Sequence, residues 1–138
     1  MGQRILAADD DAVMREVYQY VLNDIDYEVT VVRDGREALA TLRVKTPDLI
    51  LLDIRMPNMS GWEVLEVIRT TPAWQDIPVV MVSALPEPPS EDVDASRRYD
   101  CYVTKKKTGA DLIELVEQAL AGRLPTTLDA PPNSSPPS

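Results

Sequence analysis

The segment Leu49-Ile50-Leu51-Leu52-Asp53 consists of four apolar residues followed at once by a carboxylate. A run that is apolar throughout is typical of a central strand in a parallel sheet, because helices cover both faces of such a sheet. A second run of this kind, Val79-Val80-Met81-Val82, is followed by Ser83. Glu28-Val29-Thr30-Val31 alternates between polar and apolar residues instead, which predicts an edge strand.

Short apolar stretches alternate with amphipathic ones along the chain. We predict strands at residues 4–8, 28–32, 49–52, 78–82 and 101–104. Apolar residues at helical spacing predict four helices, marked by Val13, Val17 and Val21; by Ala38, Leu39 and Leu42; by Val64, Leu65 and Ile68; and by Leu112, Ile113, Val116, Ala119 and Leu120. A shorter, polar helix is expected from about Ser90, between the fourth and fifth strands. This order predicts an α/β fold, a (βα)5 doubly wound parallel five-stranded sheet.

The length and the composition indicate one globular domain and a tail. We predict the domain over residues 1–122, with Gly122 ending its last helix. Residues 123–138 are rich in proline and serine and are expected to form a disordered tail or a linker. A linker would suit a domain cut from a longer protein, which we favour slightly over a single-domain protein.

The charge balance excludes several classes of partner. The chain has 23 acidic and 14 basic residues and a formal charge of −9, so nucleic acid and anionic membranes are not expected to bind it. It has no histidine, one cysteine and no phosphate-binding loop of the P-loop type. We expect a cytoplasmic protein that receives any phosphate already activated on another molecule.

Polar residues follow the predicted strands where a doubly wound sheet binds its ligands, beyond the carboxyl ends of the strands. Asp9 and Asp10 follow the first strand, Asp53 the third and Ser83 the fourth, while Lys105 follows the fifth. Clustered carboxylates repel one another unless a cation joins them, and their hard oxygen atoms suit Mg²⁺. An aspartate can attack phosphorus and become an acyl phosphate, with Mg²⁺ and a lysine offsetting the charge on the phosphoryl oxygens.

These motifs, in this order, resemble those of a response-regulator receiver domain of two-component signalling, similar to the chemotaxis receivers. The matching segments are Ile5-Leu6-Ala7-Ala8-Asp9-Asp10-Asp11, Leu49-Ile50-Leu51-Leu52-Asp53-Ile54-Arg55-Met56-Pro57-Asn58-Met59-Ser60-Gly61, Val82-Ser83-Ala84 and Tyr102-Val103-Thr104-Lys105. The resemblance covers about residues 3–121 and implies the flavodoxin-like strand order 2-1-3-4-5.

The resemblance also implies a role for each matched position. Asp53 would be the phosphoacceptor, and the metal ligands would be Asp9, Asp10, Asp53 and the backbone carbonyl of Arg55. Lys105 and Ser83 would contact the phosphoryl group, and Ser83 and Tyr102 would act as the switch pair. The implied phosphate donor is a phosphohistidine on a sensor histidine kinase or a phosphotransfer protein. The implied output is a surface formed by the fourth and fifth helices and the fifth strand.

One departure from the family leaves other functions open. The family usually has a proline after the conserved lysine, whereas Lys106 follows Lys105 here, so we expect a trans peptide bond and a differently shaped loop. A pseudo-receiver, used only for docking, is therefore an alternative. A phosphohydrolase with an aspartyl intermediate is a third reading, but it would need an acid two residues after Asp53, where Arg55 stands.

Overall fold

A computed structural model describes residues 3–23, 27–83, 101–104 and 109–122 of the chain. The strands are β1 (Arg4–Ala8), β2 (Glu28–Val32), β3 (Leu49–Asp53), β4 (Val79–Ser83) and β5 (Cys101–Thr104). The helices within these ranges are α1 (Ala12–Asn23), α2 (Gly35–Val44), α3 (Gly61–Thr70) and α4 (Gly109–Leu120). The strands form one parallel sheet in the order β2-β1-β3-β4-β5, which confirms the predicted fold and places β2 at an edge.

Two predicted segments lie outside the described residues, namely the polar helix from about Ser90 and the tail over residues 123–138. The helix here labelled α4 is therefore the one predicted after the fifth strand. None of the helices in the described part of the chain is long and apolar enough to span a bilayer.

The sheet separates two apolar clusters, because successive side chains of a strand point to opposite faces. Leu52 and Met81 lie on one face with the buried residues of α2 and α3. Leu51 and Val82 lie on the other face with those of α1 and α4. All five residues of β3 are buried, as the continuous apolar run predicts.

The helix ends follow local capping chemistry. Asp34 caps α2 by accepting a hydrogen bond from the Glu37 amide at 2.9 Å. Ser60 begins α3 with a reciprocal capping box. Gly122 has a φ of +72°, the left-handed conformation expected of the glycine that follows a helix, as predicted.

The apolar stripe predicted for α1 is not the most buried face of that helix. Val13 is 66 % exposed, and Val17 and Val21 lie only at the margin of the cluster. The buried residues are Tyr18 and Leu22, one position further along the chain. These larger side chains bury more apolar surface than valines, so the helix turns them toward the sheet.

Candidate functional site

The site lies at the carboxyl edge of the sheet, where three neighbouring strands end. Asp53 is the last residue of β3, the strand between β1 and β4. Asp9 follows Ala8, which pairs with Leu52, so it lies beside Asp53. Ser83 ends β4, one residue beyond the partner of Asp53. The parallel register therefore brings these side chains to the same edge, as the sequence predicts.

Three carboxylates meet at this edge. Asp9, Asp10 and Asp53 each offer a carboxylate oxygen, and these oxygen atoms lie within 4.8 Å of one another. Asp9 is 0 % exposed and Asp53 is 3 % exposed, whereas Asp10 is exposed to solvent. Like charges this close are costly when burial removes their hydration, so the arrangement favours a cation. The donors are all hard oxygen atoms, one of them on the solvent side, and this set fits Mg²⁺.

The loop that carries Asp9 is fixed by several hydrogen bonds. The Asp9 amide donates to the carbonyl of Val32 at 3.0 Å, and Asp9 Oδ1 accepts from the Asp11 amide at 2.9 Å. The Asp9 carbonyl accepts from Arg15 Nη1 at 2.8 Å. Asp11 Oδ1 in turn accepts from the Val13 amide at 3.0 Å, so Asp11 caps the start of α1.

Sequence reasoning missed Arg15 because the residue lies outside the matched motifs. The available signal was its position, four residues after the capping Asp11. An arginine there lies one helical turn above the loop and can reach back to it.

The loop between β3 and α3 touches the backbone of Asp53. The Gly61 amide donates to the Ile54 carbonyl at 2.8 Å. A β-carbon at position 61 would overlap the carbonyl oxygen of Asp53, so the approach requires glycine. The matched motif includes Gly61, but sequence reasoning gave it no structural role.

The same loop is connected to the start of α2 by a side-chain hydrogen bond. Asn58 has a φ of +69°, and the Met59 amide donates to the Pro57 carbonyl at 2.7 Å across it. Asn58 Nδ2 also donates to Asp34 Oδ2 at 3.1 Å. The Glu37 amide and, to a lesser degree, the Asn58 amide group hold the pKa of Asp34 below its usual value. Arg55 lies in this loop between β3 and α3 and is exposed.

The pKa of Tyr18 depends on burial and in part on the charges of the acidic cluster, although Tyr18 lies on the face of the sheet covered by α1 and α4. Its phenol is buried, and burial raises its pKa well above 10.0, with further increases from the charges of Asp9 and Asp53. Sequence reasoning missed Tyr18 because it marked only the valines of α1. The signal was an aromatic residue with a polar end, at helical spacing from Leu22.

The other predicted site residues differ in what the structure shows of them. Ser83 is buried at the end of β4, and Tyr102 is fully buried on the face covered by α2 and α3. The switch role of this pair stays a prediction. Lys105 and the bond to Lys106 lie outside the described residues, so the position of the lysine also stays a prediction.

The strand order and the carboxylate cluster define the class of protein, a flavodoxin-like α/β domain that carries its functional groups at the carboxyl edge of the sheet. The sequence matches the response regulator receiver domain family over residues 5–117. The chain belongs to this family and is a receiver domain of the two-component type.

Relatives and solved structures agree with this assignment. The chain is 34 % identical over 120 residues to the DNA-binding response regulator MtrA of Mycolicibacterium paratuberculosis, covering 87 % of this chain and 52 % of MtrA. It thus spans about half the length of that relative.

Two solved structures share the fold. The chemotaxis response regulator CheY4 of Vibrio cholerae superposes with a TM-score of 0.80 at 27 % identity, over 86 % of this chain and 99 % of CheY4. The receiver domain of the sensor histidine kinase PA1611 from Pseudomonas aeruginosa has a TM-score of 0.78 at 25 % identity, over 88 % of this chain and 99 % of that domain. The PA1611 structure holds a magnesium ion in its active-site cleft.

Proposed function

We propose that this chain is a phosphorylatable receiver in which Asp53 accepts a phosphoryl group from a phosphohistidine on a sensor histidine kinase or a phosphotransfer protein. The observation that carries this proposal is the convergence of Asp9, Asp10 and Asp53 at the end of β3. It makes Asp53 both a nucleophile and the neighbour of a cation site.

The residues divide the chemistry among them. A carboxylate oxygen of Asp53 forms a bond to phosphorus while the bond from phosphorus to the histidine nitrogen of the donor breaks, and the released imidazole takes up a proton from solvent. Asp9, Asp10, Asp53 and the backbone carbonyl of Arg55 would hold Mg²⁺, which would offset charge on the phosphoryl oxygens. Ser83 and Lys105 would contact two further phosphoryl oxygens.

The signal would leave the site through a change of surface. Ser83 would move toward the phosphoryl group, which stabilises the state with Tyr102 turned inward. The surface formed by the helix expected from about Ser90, β5 and α4 would then bind a downstream protein, an attached output domain or a second copy in a phosphorylation-linked dimer. The chain would act as an interaction module that slowly loses its own phosphate, rather than as a conventional enzyme.

Intact-mass measurement after incubation with Mg²⁺ and acetyl phosphate tests the proposal. We expect a single phosphate adduct on the wild-type chain and none on Asp53→Ala. Asp48→Ala is the matched control, since Asp48 precedes the opposite end of β3, where its carboxylate accepts a hydrogen bond from the Arg4 amide at 2.8 Å. The control should keep the adduct.

The same experiment separates the receiver from the alternatives. A folded wild-type chain that takes no phosphate, or an adduct that persists on Asp53→Ala, would contradict the proposal. A chain that in addition binds no Mg²⁺ would be a pseudo-receiver used for docking, as the replacement of the family proline by Lys106 allows. Rapid multiple turnover of acetyl phosphate would instead favour a phosphohydrolase.

A further inference from the structure

We propose that Arg15 is a positioning residue of the metal site: its guanidinium group fixes the peptide unit between Asp9 and Asp10 and thereby strengthens Mg²⁺ binding. The inference rests on the proposed function, because it concerns the same carboxylates. It assigns a task to a side chain on α1 that supplies no ligand atom itself.

Arg15 makes two hydrogen bonds to the loop that carries two of the three carboxylates. Its side chain donates from Nη1 to the carbonyl of Asp9 at 2.8 Å, and its backbone amide donates to the carbonyl of Asp11 at 3.1 Å. The side chain therefore holds the peptide unit that precedes Asp10, while the backbone bond is the first ordinary hydrogen bond of the helix and does not depend on the side chain. The direction in which the Asp10 side chain leaves the backbone depends on the peptide unit that precedes it.

Asp10 is the member of the cluster that most needs such support. Asp9 is buried and its Oδ1 atom accepts a hydrogen bond from the Asp11 amide, while Asp53 is part of a strand that is paired on both sides. Asp10 is exposed and lies in the loop between β1 and α1. Exposed loop side chains lose conformational freedom when they bind an ion, so fixing the backbone beneath them lowers that cost.

The position of Arg15 does not serve the stability of α1. The residue belongs to the first four of the helix, where the helix dipole disfavours a positive charge. The reach of the side chain to the Asp9 carbonyl gives a physical reason for a cation at this place, since a guanidinium donor strengthens a hydrogen bond to a carbonyl.

Charge and positioning predict opposite effects of removing Arg15. The guanidinium group repels an incoming cation, so Coulomb's law alone predicts tighter Mg²⁺ binding when the charge is lost. Loss of the hydrogen bond predicts weaker binding, because groups that orient metal ligands commonly contribute about 10-fold or more to affinity. The sign of the change therefore tells the two effects apart.

Calorimetric titration with Mg²⁺, without any phosphoryl donor, measures this sign. Arg15→Met keeps a long apolar side chain and removes the charge and the donors, and we expect its Kd to rise about 10-fold. Arg15→Lys keeps the charge and one donor group, and its Kd should lie between those of wild type and Arg15→Met. Arg43→Met removes the same charge from an exposed position near the end of α2 and should leave the Kd unchanged.

Two measurements on the ion-free proteins support the reading. Amide NMR shifts of Asp10 and Asp11 should move in Arg15→Met and stay in place in Arg43→Met. Thermal unfolding in a chelator tests whether each variant is folded. If Arg15→Met is unfolded, Arg15→Lys is compared with wild type instead, and we expect a higher Kd for Mg²⁺ in Arg15→Lys.

The outcomes distinguish this inference from the proposed function. If the wild-type chain binds Mg²⁺ and takes phosphate, equal or tighter Mg²⁺ binding by Arg15→Met overturns the role of Arg15 and leaves the proposed function intact. If Arg15→Met does not fold, the same result with Arg15→Lys has the same meaning. Failure of the wild-type chain to bind Mg²⁺ overturns both.

Discussion

The two ends of the sheet differ in the sign and the burial of the charges that lie next to one another. At the carboxyl edge, Asp9 and Asp53 are buried beside Asp10, so like charges lie together. At the amino edge, Glu28 lies between two cations, 2.8 Å from Lys45 Nζ and 3.7 Å from Arg4 Nε, and all three side chains are about half exposed. β1 contributes to both ends, because it runs from Arg4 at one end to the residue before Asp9 at the other.

The difference separates charges that support the fold from charges that create a binding site. Opposite charges in solvent contribute little to stability and need nothing further. Like charges brought together away from water reduce stability until a ligand neutralises them, and the same repulsion becomes affinity for that ligand. The carboxyl edge is therefore expected to respond to Mg²⁺ and the amino edge is not.

The largest expected effect comes from neutralising one buried carboxylate. In Asp9→Asn the Oδ1 acceptor for the Asp11 amide is kept while the charge is lost. We expect the variant to unfold at a higher temperature than wild type in a chelator, because repulsion within the cluster falls. Wild type should gain about 2.7 kcal/mol of unfolding free energy at 100 times its Kd for Mg²⁺, and Asp9→Asn should gain almost none.

Thermal unfolding with and without Mg²⁺ measures both quantities. Glu28→Gln is the control from the amino edge and should keep the full Mg²⁺ response. A variant Asp9→Asn that is less stable in the chelator and still gains stability from Mg²⁺ would contradict the contrast between the edges.

A smaller effect is expected from Tyr18 in alkali. Burial, with the charges of Asp9 and Asp53, raises the pKa of this phenol in the folded chain well above 10.0. Above pH 10 the unfolded chain loses this proton while the folded chain keeps it, so stability falls as the pH rises, by up to about 1.4 kcal/mol per pH unit. Below pH 10 the group contributes no slope.

Denaturant unfolding between pH 9 and 11 tests this assignment. Tyr18→Phe should show a smaller loss of stability than wild type across that range, since it lacks the phenol. Equal slopes for wild type and Tyr18→Phe would show that the burial of the phenol does not govern its ionisation.

The smallest effect is expected at the amino edge in acid. The hydrogen bond and the charge of Lys45 lower the pKa of Glu28 below 4.5, with a further contribution from Arg4. This stabilisation is present above the usual pKa of a glutamate and is lost as the pH falls through the lowered value. Glu28→Gln should therefore lose a little stability at pH 7 and none relative to wild type near pH 2, and salt should reduce the difference at pH 7.

The sequence predicts the sheet and the carboxylate cluster because both depend on patterns within short segments. A short, continuous apolar run such as residues 49–52 fits few structures other than a buried strand. Adjacent parallel strands place their carboxyl ends at the same edge of the sheet, independently of the conformation of the loops. The valines of α1 predict the helix but not its most buried residues, which are Tyr18 and Leu22, because these larger side chains bury more apolar area. The contacts of Arg15 and Gly61 depend on how loops fold back onto the strands, which periodicity does not record.

Gly61 makes the chemistry of this chain dependent on a residue that has no functional group. Its α-carbon lies so near the Asp53 carbonyl that one added methyl group would displace the main chain there. Asp9, Asp10 and Asp53 would all still be encoded in such a variant, yet the backbone that positions Asp53 beside the other two would have to shift. A mutation at a glycine can therefore disrupt the carboxylate site even though every carboxylate in it is unchanged.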